Sequence, residues 1–313
     1  MRFNQLGDSG IKVSAVALGT WAMGGDFWGR IDESKCIDAL NAGLDSGINL
    51  IDTAPIYGSG YSEEIVGKAV KGRRKDIILA TKCGLPLNSS RSRDLTRKTV
   101  IQEINESLKR LQTDYIDIYQ VHWPDPDTDI AETMGVLTDI KASGKIRAIG
   151  VSNQNIDQLK QYMSNGRLDS VQPQYSLLER EIEGDILPFC RENNLGVLTY
   201  GSLGAGMLTG KFKTPPVAAD GDKRAMFYPF FTEPLFGKAL ELLKTLETIA
   251  ESHSKPVSHV AINWVSQQPG VTAALVGCKN PRQAVENADA GEWALSDEEL
   301  RVIRDALNRI YAE

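Results

Sequence analysis

Eight short apolar runs, rich in β-branched residues, punctuate the sequence, and each is followed by a stretch with helical spacing. They are AVALGT from Ala15, NLIDTA from Asn49, DIILATK from Asp76, YIDIYQVH from Tyr115, IRAIGVS from Ile146, SVQPQYS from Ser170, GVLTYGS from Gly196 and TAALVGC from Thr272. Between them, positions such as Val100, Ile101, Ile104, Leu108 and Leu111 recur at i, i+3, i+4 and lay one apolar stripe against a sheet. Strict alternation of strand and helix implies parallel strands joined by crossover helices, which an open doubly wound sheet or a closed barrel satisfies. Eight such units in 313 residues favour the α/β class and a (β/α)8 TIM barrel, with residues 1–313 as one domain.

The boundaries carry their own signals. The first helix is expected to begin near Asp32 and stop at Gly47, and the SDEE stretch from Ser296 reads as a capping box opening a C-terminal helix with Leu300, Ile303 and Leu307 on one face. Gly7, Asp8, Ser9 and Gly10 separate two short runs, the pattern of an N-terminal β-hairpin that caps the barrel floor. After the seventh strand, residues 201–234 hold GSLGAG, TPPVAADGD and the aromatic MFYPFF with little periodicity. A connection of that length is expected to be a lid over the barrel top.

Charge and cysteine usage exclude several classes. With 35 Lys and Arg against 41 Asp and Glu, the net charge of -6 supplies no excess of cations for a nucleic-acid or anionic-membrane partner. The four cysteines, Cys36, Cys83, Cys190 and Cys278, are far apart and show no zinc spacing, so reduced thiols and no metal are expected. No signal-peptide run or membrane-length apolar stretch is present, and a cytoplasmic protein is expected. The residues identify no protein partner.

In a barrel of this type the chemistry sits at the C-terminal ends of the strands. Those ends carry Asp52, Lys82 and His122, with Tyr57 on the loop just beyond Asp52. Taken singly, an Asp after a strand is commonly a helix cap and a lone His a structural residue. Together they make chemical sense: a buried ammonium at Lys82 would lower the pKa of the Tyr57 phenol, Asp52 would keep Lys82 charged, and His122 would orient a substrate oxygen. The set fits proton donation to a carbonyl oxygen, which requires hydride from a partner, and no side chain supplies hydride. A nicotinamide cofactor is therefore implied. Neither GSGYSE from Gly58 nor GSLGAG from Gly201 has the GxGxxG spacing, so any dinucleotide is held in another way than by a Rossmann turn.

DTAPIYGSGYSEEIVGKAV around Tyr57, ATKCG around Lys82 and YIDIYQVHWPDP around His122 resemble, in order and on the expected strands, the aldo-keto reductase superfamily. The resemblance runs from AVALGTW at Ala15 to AVENADA ending at Ala290. It implies that Asp52, Tyr57, Lys82 and His122 form a catalytic tetrad with Tyr57 as general acid. It further implies that Ser152, Asn153 and Gln174 hold the nicotinamide carboxamide and that Tyr200 stacks under the ring. Gly201, Ser202, Leu203 and Gly204, with Lys211, would bind the pyrophosphate, while Gly277, Lys279, Gln283, Glu286 and Asn287 would hold the adenosine end. Arg282 is a neighbour there that either joins the site or faces solvent. A cation near the ribose recognises a 2′-phosphate and so favours NADPH (NADP+) over NADH, although a basic residue at a helix start is also an ordinary surface charge.

Two departures narrow the branch. YGSGYSEE is longer than the equivalent stretch of many aldose reductase-like members and is similar to the bacterial and potassium-channel-β-subunit-like branch. Many members also carry proline and lysine where this chain has Gly277 and Cys278. Trp21, Phe27, Trp28, Trp123, Phe227 and Tyr228 represent the aromatic carbonyl pocket in this reading, with core packing the alternative for each. Cys83 is either a redox-sensitive or a buried inert thiol. The implied activity is reduction of small aldehydes or ketones to alcohols. A cofactor-sensing regulatory subunit stands as the alternative, and a metal-dependent lyase is disfavoured by only three histidines.

Overall fold

The computed structural model describes residues 1–25, 31–87, 89–215 and 224–311. An antiparallel hairpin of β1 (Phe3–Gln5) and β2 (Lys12–Ser14) precedes a closed barrel. The barrel strands are β3 (Val16–Gly19), β4 (Leu50–Asp52), β5 (Ile78–Cys83), β6 (Ile116–Val121), β7 (Ile146–Ser152), β8 (Ser170–Gln172), β9 (Gly196–Thr199) and β10 (Ala273–Gly277). All pair in parallel, and β10 closes on β3. The outer ring contains α1 (Glu33–Asp45), α2 (Tyr61–Ala69), α3 (Arg97–Arg110), α4 (Ile130–Ala142), α5 (Ile156–Asn165), α6 (Ile186–Glu192), the short α7 (Arg224–Phe227), α8 (Leu235–Ser252), α9 (Val257–Ser266), α10 (Pro281–Ala290) and the C-terminal α11 (Asp297–Tyr311).

The strands fall within the expected apolar runs, except that β5 extends one residue past its run to Cys83, and side chains alternate across the barrel wall. On β5, Leu79 and Cys83 face the helices whereas Ile78 and Ala80 face the interior, so Lys82 must also point inward. The same alternation turns Asp52 of β4, Gln120 of β6 and Gln172 of β8 into the barrel. Below them, Ala17, Leu50, Ala80, Ile118, Ala148, Leu198, Ala273 and Leu275 fill the interior, and the hairpin closes it with Leu6, Ile11 and Val13. A larger apolar layer separates strands from helices. The polar residues therefore form one layer above a dry plug, at the end of the barrel where the strands finish.

Local signals set the helix ends. Asp32 caps α1 by accepting from the Lys35 amide at 3.3 Å, and Ser296 and Glu299 exchange backbone bonds in the expected box before α11. On α3, Val100 and Ile104 are buried, whereas Ile101 is 38% exposed and lies off the stripe. The expected lid is only partly described: Gly204–Thr209 forms a 3-10 turn, and Phe230 and Phe231 are buried beside Phe212 and Tyr228. No helix among the described residues is long and apolar enough to cross a membrane.

Candidate active site

Lys82 lies at the centre of the polar layer. Its ammonium donates to Asp52 Oδ1 at 2.7 Å, to the Thr53 carbonyl at 2.9 Å and to the Tyr57 hydroxyl at 3.2 Å. An ammonium has three protons, and each has an acceptor. Because Tyr57 Oη accepts from Lys82, the phenol's own hydrogen is directed elsewhere. His122 stands edge-on to the Tyr57 ring, with centroids 5.9 Å apart, and the Trp21 ring is tilted against it with centroids 6.2 Å apart. The four residues named from the strand ends are thus together.

The electrostatics differ from the sequence expectation at one point. Burial would push the Lys82 ammonium down, but Asp52 and then Tyr57 outweigh it, and its pKa is raised. Burial likewise pushes the Tyr57 phenol up; Lys82 opposes this, Asp52 adds to it, and the net direction is up rather than the expected lowering. The ammonium offsets the cost of ionising the phenol without abolishing it, since burial penalises the anion more. Burial, reinforced by Lys82, holds the His122 imidazole well below its ordinary value, so it is neutral near pH 7.

Several supporting residues escaped the sequence reading. Asp52 Oδ2 accepts from Gln172 Nε2 at 2.8 Å and from Gln120 Nε2 at 3.2 Å. Both amides are buried near the C-terminal ends of their strands, and their only sequence signal is a polar residue inside an apolar run. Ser62 does not cap α2. It is buried, donates to Thr20 and approaches the Thr53 hydroxyl, while Gly60 occupies the cap in the left-handed region at φ 97°. The turn carrying Tyr57 is seated by a glycine pair: a Cβ on Gly24 would lie 2.5 Å from the Gly58 amide and 2.6 Å from the Tyr57 carbonyl carbon.

The expected cofactor residues form an arc around the rim. Asn153, at φ 59°, donates to the His122 carbonyl at 2.9 Å and to Ser152 Oγ at 3.0 Å, and its side-chain oxygen accepts from the Tyr200 hydroxyl at 2.8 Å. Gln174 pairs with Tyr200 in a bridge and donates to Glu179, whose carboxyl is pushed by burial up to about 7. Gly201, Gly204, Ala205 and Gly206 have positive φ, and such turns make a concave backbone suited to a phosphate. Ser202 ties this loop to β10 through the Leu275 carbonyl, and Lys211 lies over Phe212, 4.7 Å from the ring centroid. The backbone about Leu203 therefore lies beside the end of β10, the region after the last two barrel strands where phosphate sites recur. At that end Asn287 donates to the Gly277 carbonyl, and Lys279 and Gln283 close the α10 cap at Asn280. Glu286 accepts from Ser258 on α9, so its side chain already has a protein partner. Amides, an aromatic face, a concave backbone and lysines along one arc fit a dinucleotide.

The aromatic candidates are less uniform. Trp123 is 38% exposed at the rim and Phe227 is 56% exposed. Tyr228 packs on Phe230 and Phe231, yet is close enough to interact electrostatically with Tyr57 and Tyr200. Phe27 and Trp28 lie outside the described residues. Cys83 faces the helix layer, and burial with the nearby Glu103 raises its thiol well above the ordinary value, which fits the inert alternative.

A closed parallel barrel with this ionic group at its rim defines a barrel enzyme equipped for proton transfer. The sequence profile of the aldo/keto reductase family matches residues 15–308. The chain is 43% identical to aldo-keto reductase YhdN of Bacillus subtilis (strain 168), covering 100% of this chain and 96% of that one. It is 37% identical to the NADH-specific methylglyoxal reductase of Escherichia coli (strain K12), covering 96% of each. Among solved structures, the glycerol dehydrogenase AKR11B4 from Gluconobacter oxydans superposes with a TM-score of 0.91 at 39% identity, over 99% of this chain and 96% of that one. A probable voltage-gated potassium channel β subunit of Oryza sativa subsp. japonica is 31% identical over 93% of this chain and 91% of its own. The chain belongs to the aldo/keto reductase family, whose members are nicotinamide-dependent oxidoreductases acting on carbonyl groups.

Proposed function

We propose that residues 1–313 act as one barrel domain that reduces aldehydes and ketones to alcohols with NADPH, Tyr57 donating the proton. The observation that carries this is the direction of the Lys82 to Tyr57 hydrogen bond. With one lone pair of Oη engaged by an ammonium, the phenol's proton remains available for a carbonyl oxygen, and the phenolate left behind is stabilised by the same ammonium. Asp52 keeps Lys82 charged, and the neutral His122 imidazole orients the carbonyl oxygen by a hydrogen bond. A reduced nicotinamide, when bound, supplies hydride to the carbonyl carbon. Ser152, Asn153, Gln174 and Tyr200 would hold the nicotinamide, the backbone at Gly201, Ser202, Leu203 and Gly204 with Lys211 the pyrophosphate, and Gly277, Lys279, Gln283, Glu286 and Asn287 the adenosine end.

The preference for NADPH rests on Lys279 and Arg282 beside the N-terminus of α10, where basic side chains and the helix dipole both favour a 2′-phosphate. The NADH-specific name of one relative makes this a matter for kinetics. Tyr57→Phe is expected to lower kcat by about 10²–10⁴ across an aldehyde panel, the usual range for a general acid, while cofactor binding is kept. Undiminished turnover in that variant would sink the mechanism. The likeness to a channel β subunit keeps a second reading in view, a cofactor-sensing subunit: tight NADPH binding with no aldehyde-dependent oxidation by the wild type would favour it.

A further inference from the structure

We infer that Arg93 is a substrate-binding residue selecting carbonyl compounds that carry a carboxylate a few bonds from the reacting carbon; the inference rests on the reductase reading above. Arg93 belongs to the loop after β5, the strand of Lys82. The base of that loop is closed where the Asp94 amide donates to the Gly84 carbonyl at 3.1 Å, two residues past Lys82. Its guanidinium lies over the Trp123 ring, 5.5 Å from the centroid, and Nη1 donates to the Pro124 carbonyl at 3.1 Å. Trp123 directly follows His122. The cation is thereby held between the loops that follow the lysine and histidine strands, at the end of the barrel that carries Lys82 and His122.

The two arginines of this loop differ. Arg91 is engaged by three carboxylates, Asp94 at 3.4 Å, Asp125 at 3.1 Å and Asp127 at 3.5 Å. Together with the Asp125 bond to the Leu95 amide, these staple the loop to its neighbour. Arg93 has no carboxylate within ion-pair distance among the described residues, although Asp and Glu outnumber Lys and Arg in this chain. A guanidinium has five N–H donors in a planar fork. One is used and one face lies against an indole, so the other donors can grip a planar carboxylate through paired bonds, the geometry for which arginine exceeds lysine. The reaction is unchanged: hydride is added at the carbonyl carbon and a proton at its oxygen, and the distal carboxylate takes no part.

The test compares butanal with 4-oxobutanoate, matched in chain length, under NADPH saturation. Wild-type enzyme is expected to prefer 4-oxobutanoate, and Arg93→Gln to lower kcat/KM for it by about ten- to hundredfold, chiefly through KM, as loss of a charge-assisted bond predicts. Butanal turnover should be unchanged. Arg93→Lys should recover part of the loss, and butanoate should inhibit the wild type competitively but not Arg93→Gln. Equal effects of Arg93→Gln on both substrates, or a wild type that turns over butanal without favouring the oxo acid, would overturn the assignment while leaving the reductase reading intact. Failure to turn over either aldehyde would instead strike the reading on which it rests.

Discussion

The ammonium of Lys82 and the carboxylate of Asp52 meet at 2.7 Å with only 1% and 3% of their residues' surfaces exposed. A pair so deeply buried is held by mutual need rather than by surplus energy, because desolvation offsets much of the attraction. Asp52→Asn leaves the ammonium unpaired and should cost about 3–5 kcal/mol in urea unfolding. Adding Lys82→Met to that variant should restore part of the loss. If the double variant were less stable than the single by the full cost of Lys82→Met alone, the two residues would not be coupled.

Gly24 and Gly58 provide a steric test of how Tyr57 is placed. Gly24 lies at φ -72°, which alanine accepts, so Gly24→Ala introduces only the clash with Gly58 and Tyr57. A displacement near 1 Å at the reacting group costs about 10²-fold, and a fall in kcat of that order is expected with the fold retained by circular dichroism. Gly135→Ala, on α4 where nothing lies within 4 Å of the new Cβ, is the control and should leave kcat alone.

Glu103 makes stability depend on pH in a defined direction. It is buried, one oxygen accepts from the Gly84 amide at 2.7 Å, the other has no partner among the described residues, and burial raises its pKa from 4.5 to about 7. Between those values the folded state binds more protons than the unfolded state, so this group's contribution falls as pH rises from about 4.5 to 7. Glu103→Gln keeps an acceptor for Gly84 and removes a charge that burial, and then Glu106, Glu63 and Asp94, disfavour. It should raise stability at pH 8 by about 1–3 kcal/mol and change little at pH 4.5. Thermal melts at the two pH values check this, and an equal effect at both would refute it.

Lys279→Ala should raise KM for NADPH about tenfold or more and leave KM for NADH unchanged, since only the former carries the 2′-phosphate that a charge-assisted bond would hold. Parallel initial-rate measurements with the two cofactors decide it. A parallel rise in both would place Lys279 on a part common to the two dinucleotides.

The barrel was legible because apolar runs and helical stripes repeat at a regular interval, and the meeting of Asp52, Tyr57, Lys82 and His122 because strand ends converge on one rim of such a barrel. What lay one residue inside the wall was harder to read. Gln120 and Gln172 sit in mid-run, and only closure of the barrel shows that they converge on Asp52 from β6 and β8. Ser62 follows a glycine turn, and only the folded turn shows that its hydroxyl is directed inward to Thr20. The phenol's direction of shift was misjudged for a related reason: spacing reveals the neighbouring charge but not how much water is excluded around it. Trp123 and Tyr228 are both aromatics near the rim, and sequence alone does not separate the exposed one from the one absorbed into a cluster of phenylalanines.

The layer joining Asp52, Lys82, Gln120 and Gln172 draws on β4, β5, β6 and β8 at once. Half of the staves of the barrel are thus fastened to each other by the same side chains that hold the Lys82 ammonium against the Tyr57 hydroxyl. Heat that parts these strands should therefore break up the polar layer at the same time. Residual activity after heat challenge should track the folded fraction, so a simple assay would serve as a gauge of whether the cylinder is still shut.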